Sequence, residues 1–310
     1  MRANWTMSGL VGIVWFLGAP AFAAGHAGAG CTPSARSTLH ACRDDATATA
    51  WLEISKCQQV ANAEERDDCL DETKTALVEG REECVEQYGA RLEVCDAIGE
   101  APYDPEIVPG DFVAGIDNPF LPFVPGTTRT YEGATDEGTE TVVVEATTAT
   151  RVILGVTCTE VRDRGYLNGV LTEDTRDWYA QDQLGNVWYF GELSYEIEAG
   201  VVVSISGSWE AGVDGAKPGL AMPASGAVGK TYRQEFLIGE AEDMGQFLSL
   251  GAAVTVPYGS FTGCRQTRDF TPISPDANEH KFYAAGVGLV LEADPDSGSR
   301  VELINVTSTP

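Results

Sequence analysis

The chemistry this chain can offer is carried by acids and aromatic rings. Asp177, Tyr179, Trp188, Glu192, Trp209, Glu210, Glu279, His280 and Tyr283 fall in a few dense blocks, such as DWYAQDQLGNVWYFGE and NEHKFYAAG. On a strand, Asp177 and Tyr179 share one face, as do Trp188 and Phe190 on the next strand. A barrel mouth walled by rings and holding a few carboxylates suits a small molecule, either a cation or a sugar. Two carboxylates at the right separation also hydrolyse glycosides, so a secreted glycosidase-like hydrolase is the competing expectation. The bland alternative is that the rings fill the core and the acids are solvated.

Metal and nucleophile chemistry have less to work with. There are three histidines, His26, His40 and His280, and only the last belongs to the acid-aromatic region, which argues against a multi-histidine metal site. The chain has no G-x-S-x-G elbow, no H-E-x-x-H pair and no phosphate-cradling loop. The acidic run Glu240, Glu242 and Asp243 offers oxygen ligands for calcium if another strand adds partners, the basis of a calcium-dependent structural reading. Asp294-Pro295-Asp296-Ser297-Gly298 opens like a calcium loop but lacks the acidic fifth position, the sixth-position Gly and the twelfth-position Glu, so it reads as a turn.

Charge narrows the partners. The chain carries 20 Lys+Arg against 47 Asp+Glu, a formal charge of −27. Such a surface repels nucleic acid and anionic membrane, and leaves a small molecule, a cation or a basic protein surface as counterparts. Residues 1–23 have the layout of a signal peptide: Arg2, an apolar run from Leu10 to Leu17, and Ala21-Phe22-Ala23 as a small-x-small cleavage site. The run is shorter than the ~20 residues a membrane span needs. The expectation is an extracellular or periplasmic protein, cleaved near Ala23. Cleavage removes Arg2 and no acid, leaving a charge of −28.

Eight cysteines behind such a segment imply disulfides. The first six, Cys31, Cys42, Cys57, Cys69, Cys84 and Cys95, are separated by 11, 15, 12, 15 and 11 residues, a spacing that reads the same from either end. Paired from the outside inward, each pair of residue numbers totals 126. A fold-back centred near residue 63 therefore brings all three pairs level. Along a helix, 11 residues return to within about 20° of the same face and 15 to within about 60°. Cysteines 11 apart on one helix lie roughly 16 Å apart, beyond disulfide reach, so the bonds must cross between helices. The predicted pairs are Cys31–Cys95, Cys42–Cys84 and Cys57–Cys69. Thr32-Pro33 suits the first helix start, and Asn62 followed by Glu65 suits the second. Ala46 is expected to face Gly80, and Ala50 to face Ala76, letting the helices approach. This predicts a helical hairpin over 31–98.

Residues 99–126 hold six prolines and no helical period, and read as a linker that packs on the domain C-terminal to it. From Thr127 to the end, short runs rich in Val, Thr, Tyr and Ile alternate with turn residues. Asn168-Gly169, Asp182 to Gly185 and Glu198-Ala199-Gly200 are predicted hairpin turns. The fold class is α+β: a disulfide-laddered antiparallel hairpin, then an antiparallel barrel-like or strongly curved sheet over 127–310. A short helix is expected over Ala241 to Leu250. Cys158 and Cys264 open the matching patterns CTEVRD and CRQTRD, which predicts neighbouring strands joined by a fourth disulfide.

The blocks DWYAQDQLGNVWYFGE, GSWEAGVDGAKPG, GKTYRQEFLIGEAEDMG and DFTPISPDANEHKFYAAGVGLVLE resemble the signature blocks of a family of uncharacterised secreted bacterial proteins. The earlier LEVCDAIGEAPYDPEI and DNPFLPFVPGTT are similar to that family too. The resemblance implies a bacterial, exported protein and supplies no catalytic residues.

Overall fold

The computed structural model describes residues 28–308. The proposed signal peptide lies outside the described residues. Two helices lead the chain, α1 (Cys31–Cys57) and α2 (Ala63–Ile98). Their apolar content is slight. On α1 only Ala35, Ala50 and Cys57 are buried, and on α2 only Thr73, Cys84, Arg91, Val94 and Cys95. Three disulfides do the joining: Cys31–Cys95, Cys42–Cys84 and Cys57–Cys69, with Cα atoms 5.5, 5.8 and 5.6 Å apart. The ladder is the one the spacing demands. Asn62 caps α2, its side chain accepting from the backbone N–H of Glu64 and Glu65. α1 starts one residue before Thr32, and no side chain caps it. Instead Glu100, just past α2, accepts from the Thr32 N–H and hydroxyl. Gly80 does face Ala46, whose Cβ would lie 3.7 Å from an added methyl. Ala76, however, is exposed.

The Pro-rich segment is strapped to the sheet. A 3₁₀ turn at Pro109–Asp111 leads into β1 (Phe112–Val113), which pairs antiparallel with β5 (Val170–Asp182). Ile116 and Phe123 bridge each other and are buried.

The rest is one 16-stranded antiparallel sheet, nearly closed and barrel-shaped. It consists of two meanders. The first runs through β2 (Thr127–Thr135), β3 (Gly138–Ile153), β4 (Val156–Leu167), β5 and β6 (Val187–Glu198). Short pieces β7 (Val201–Ser204) and β8 (Trp209–Glu210) also pair with β6, and β9 (Lys217–Met222) completes this side. Then β10 (Thr231–Arg233) and β11 (Glu235–Phe236) follow each other across Gln234. The second meander is β12 (Met244–Val256), β13 (Gly259–Phe270), β14 (Glu279–Ala284), β15 (Gly288–Ala293) and β16 (Arg300–Ser308). Two seams join the meanders. β16 pairs with β2. At the other seam β10 pairs with β12 while β11 pairs with β9, so residues 231–236 stitch both edges. The crossing is tight: a Cβ on Gly219 would meet the Gln234 carbonyl oxygen at 2.2 Å, which only glycine avoids.

The hairpin turns form where expected. Asn168 (φ 51°) and Gly169 (φ 79°) are both left-handed, as a two-residue turn between β4 and β5 requires. Gly185 and the Ala199-Gly200 pair are left-handed too. Asp294 makes a turn, its Oδ1 accepting from the N–H groups of Asp296 and Ser297.

Two expectations fail. The segment 241–250 is not helical: Met244 onward is strand β12, whose pairing with β10 and β13 overrides the helix-favouring Ala, Glu, Met and Leu. Cys158 and Cys264 are free and buried. Cys158 sits on β4 between β3 and β5, whereas Cys264 sits on β13 between β12 and β14. Matching local patterns did not make their strands neighbours. Among the described residues, no helix is long and apolar enough to cross a membrane.

Candidate functional site

The barrel encloses a cavity of about 260 Å³. Its walls alternate as strands do. Asp163 follows Val161 on β4, Tyr179 follows Asp177 on β5, Asp269 lies on β13, and Tyr283 follows Lys281 on β14. Tyr189 of β6, Glu235 of β11, Asp243 and Glu292 of β15 complete the polar lining. Six carboxylates thus face inward with two cations, Arg129 and Lys281. Arg129 is spent on backbone, donating to the carbonyls of Val287 and Pro122, both at 2.8 Å. Lys281 lies 3.6 Å from Asp269 and 3.4 Å from Glu292. Asp269 also accepts from Thr267 and Gln234. Among the described residues Asp163, Asp177, Glu235 and Asp243 make no ion pair inside the cavity, although the charge of Lys281 reaches Asp163 and Asp243.

Their protonation follows from that excess. Burial, reinforced by the charges of Glu292 and Glu173, raises Asp163 to about 7. Burial, with Asp243 and Glu192 close by, holds Glu235 well above the ordinary carboxylate range. Asp243 is raised for the same first reason. Asp243 is walled by protein on most sides, yet its side chain is exposed, because it faces open cavity rather than packed atoms. Burial opposes the charge on Lys281, but Glu292 and Asp269 outweigh it and lift its pKa well above the usual value.

One small network calls for a shared proton. The Tyr189 hydroxyl lies 2.5 Å from Asp177 Oδ1 and 2.8 Å from Glu192 Oε2. A phenol donates one hydrogen bond, so the second contact needs a proton on one of the two carboxyls. Burial accordingly lifts Glu192 to about 7 and Asp177 well above its ordinary value. Tyr189 also stacks on Tyr179 at 4.6 Å, and Tyr179 stacks on Phe123 at 4.9 Å, giving a rigid ring wall.

The structure divides the predicted residues. Asp177, Tyr179 and Tyr283 line the cavity, and Glu192 joins it through Tyr189. Trp209 stands behind the wall, edge-on to Tyr189 at 5.3 Å. Its indole N–H is buried without a well-aligned acceptor, though it lies close enough to Glu235 to favour that group's ionised form. Four others face elsewhere. Trp188 donates to Asp182 and packs on Phe112 outside the barrel. Glu210 pairs with Arg151. His280 meets Gln266 on the face opposite Lys281. Glu279 is exposed and touches Lys281 only distantly, at 3.6 Å.

The proposed calcium run is also split. Glu240 points to solvent, Glu242 is buried against Arg91 of α2, and Asp243 faces the cavity. The turn from Leu237 to Ala241 carries Glu240 away, and Glu242 and Asp243, adjacent after it, face opposite ways. Among the described residues, no cluster of three or more acidic, histidine or cysteine side chains is arranged to hold a metal ion.

Asp163, Tyr189, Glu235, Asp269, Lys281 and Glu292 are the cavity residues that sequence reasoning passed over. A signal existed for two of them. Asp163 and Asp269 are the final residues of CTEVRD and CRQTRD, the repeated pattern attributed to cysteine pairing. The repeat marks two inward-facing acids. Comparison with protein-family models, with curated proteins and with solved structures gives no match.

Proposed function

We propose that this chain is an exported, non-enzymatic binding protein whose barrel interior takes a small organic cation. One observation carries the reading: a ring-walled cavity with six inward carboxylates and two cations, in which Asp163, Asp177, Glu235 and Asp243 make no ion pair. An amine entering there supplies the missing positive charge and meets aromatic surface as well. Burial raises the pKa of all four acids, which favours release of protons when an amine binds. Export is supported by three disulfides, which fit an oxidising extracellular or periplasmic setting. The signal-peptide layout of residues 1–23, cleavage near Ala23 and the resemblance to secreted bacterial proteins belong to the same proposal. So do the partners: a small cationic molecule inside, a basic protein surface outside, and neither nucleic acid nor anionic membrane.

Native mass spectrometry of protein purified from its own host tests for a retained molecule. Calorimetry with paired amines and alcohols of equal size then tests the charge requirement, and Asp177→Asn and Glu235→Gln should weaken amine binding. If amines bind no better than their neutral counterparts, and the host protein carries nothing, the reading is lost.

The Asp177–Tyr189–Glu192 network supports a second reading, hydrolysis of glycosides. Two carboxyls share one hydroxyl there, and the hydrogen-bond count favours one of them protonated and the other ionised. Glu192→Gln in a broad glycan-hydrolysis screen addresses it. An inactive parent protein removes it.

A further inference from the structure

A second, separate cavity of about 190 Å³ lies where the base of the hairpin meets the barrel. Its chemistry is the reverse of the first. In a chain with a large acidic excess, it gathers Arg91, Lys217 and Arg233, with Glu242 the only carboxylate in its lining. Arg91 and Glu242 neutralise each other, with Arg91 Nη2 2.7 Å from Glu242 Oε1. Lys217 is occupied by the Tyr103 carbonyl at 2.6 Å and Asp104 at 2.8 Å. Arg233 is different. Its Nε is buried without a partner, and its Nη1 reaches only the Met244 sulfur at 3.8 Å. No carboxylate pairs with it among the described residues. Its guanidinium lies 4.8 Å from the Phe236 ring centre and 5.5 Å from that of Tyr103. Ring faces hold such a cation in place, but they do not satisfy its N–H groups. Ala35, Val94, Pro102, Ile238 and Pro272 make the rest of the wall apolar.

We infer that this cleft is a binding site for a small apolar monocarboxylate. The carboxylate accepts two hydrogen bonds from Arg233, and the hydrocarbon body fills the space between Tyr103, Phe236 and Val94. A planar guanidinium fork matches a carboxylate in a way that a point charge does not. The charge of Glu242 reaches Arg233, but that carboxylate is bonded to Arg91, so the guanidinium has room for one further negative charge. The cleft is too small and too apolar for a polyanion. The site is independent of the barrel interior. Arg233 of β10 and Phe236 of β11 face the cleft, whereas Gln234 and Glu235, between them in the chain, line the barrel cavity.

The test is calorimetry on the oxidised, exported protein with benzoate, with benzyl alcohol as the neutral isostere and inorganic phosphate as the bare anion. Benzoate should bind saturably and raise the melting temperature, while benzyl alcohol and phosphate should not. Arg233→Met should weaken benzoate by about ten- to a hundredfold, the loss expected for charge-assisted hydrogen bonds. Arg233→Lys should recover only part of that affinity. Without benzoate, Arg233→Met should melt no lower than the parent, because it removes a buried cation that lacks a partner. Benzoate binding unchanged in Arg233→Met, phosphate binding as tightly as benzoate, or no saturable benzoate binding by the parent would each overturn the assignment. Should the Met variant fail to fold, the parent's ranking of the three probes and the Lys variant still decide it.

Discussion

The hairpin and the barrel reach a fixed structure by opposite means. The hairpin hides few side chains, most of them small or sulfur-bearing, and is held by bonds across its two rods. The barrel has no disulfide. It relies on closure and on buried side chains such as Phe190, Phe247, Met222, Met244 and Leu303. A two-rod element this thin lacks the core to stand alone, so its stability is covalent. A closed sheet has core to spare, and can therefore tolerate a cavity lined with poorly matched charge.

Reduction tests the contrast most severely. Each disulfide contributes about 2–4 kcal/mol, less when loops nest, so a reductant should melt the helices and leave the barrel folded. Far-UV circular dichroism should lose its helical signal while the near-UV signal of Trp178, Trp188 and Trp209 persists. Loss of both together would mean that the two parts fold as one.

The joint between them comes next. Arg91 and Glu242 are both buried, and Arg91→Met leaves a carboxylate without its partner, at about 3–5 kcal/mol. Replacing both by Leu should recover most of that loss. Denaturant unfolding of the three variants measures it, and a small effect in Arg91→Met would show that the hairpin is held chiefly elsewhere.

The barrel alone should respond to mild changes of pH. Asp163 and Glu192 titrate at about 7 when folded and near the ordinary carboxylate value of about 4 when unfolded. The native state therefore holds protons that the unfolded chain has released. Their stabilising contribution is complete below about pH 4 and is lost as pH rises through 7. Barrel melting should fall over that interval while helix melting does not follow it. An amine ligand reverses the preference for protons, so its affinity should increase across the same interval. A barrel melting point that climbs between pH 5 and 7 would contradict the placement of these acids.

The smallest effect belongs to the hairpin tip. Asn62→Ala removes the side-chain cap of α2 and should cost about 1 kcal/mol, visible in helix unfolding and absent from barrel unfolding.

The same division explains how much could be read in the sequence. Disulfides obey distance limits that spacing along a helix states outright, so Cys31 through Cys95 disclosed both partners and fold-back. Turns were legible for a similar local reason: Asn168-Gly169 and Ala199-Gly200 need left-handed backbone wherever they occur. The cavity was only half legible. Alternation put Asp177 and Tyr179 on one face, but which faces converge depends on how thirteen strands follow one another around the sheet. No local pattern shows that β13 and β14 bring Asp269 and Lys281 opposite β4. Cys158 and Cys264 failed for that reason, being similar in sequence and distant in sheet order. The run from Glu240 to Asp243 failed because a turn sends neighbouring side chains apart.

The seam between β16 and β2 has a consequence for how the molecule is made. β16 completes the ring beside β2, so strands far apart in the chain must meet before the sheet closes on this side. Until they meet, the chain carries an open strand edge, and any product cut short before Arg300 keeps it. A chain lacking β16 should therefore be cut by protease faster than the full one, a difference that limited proteolysis measures.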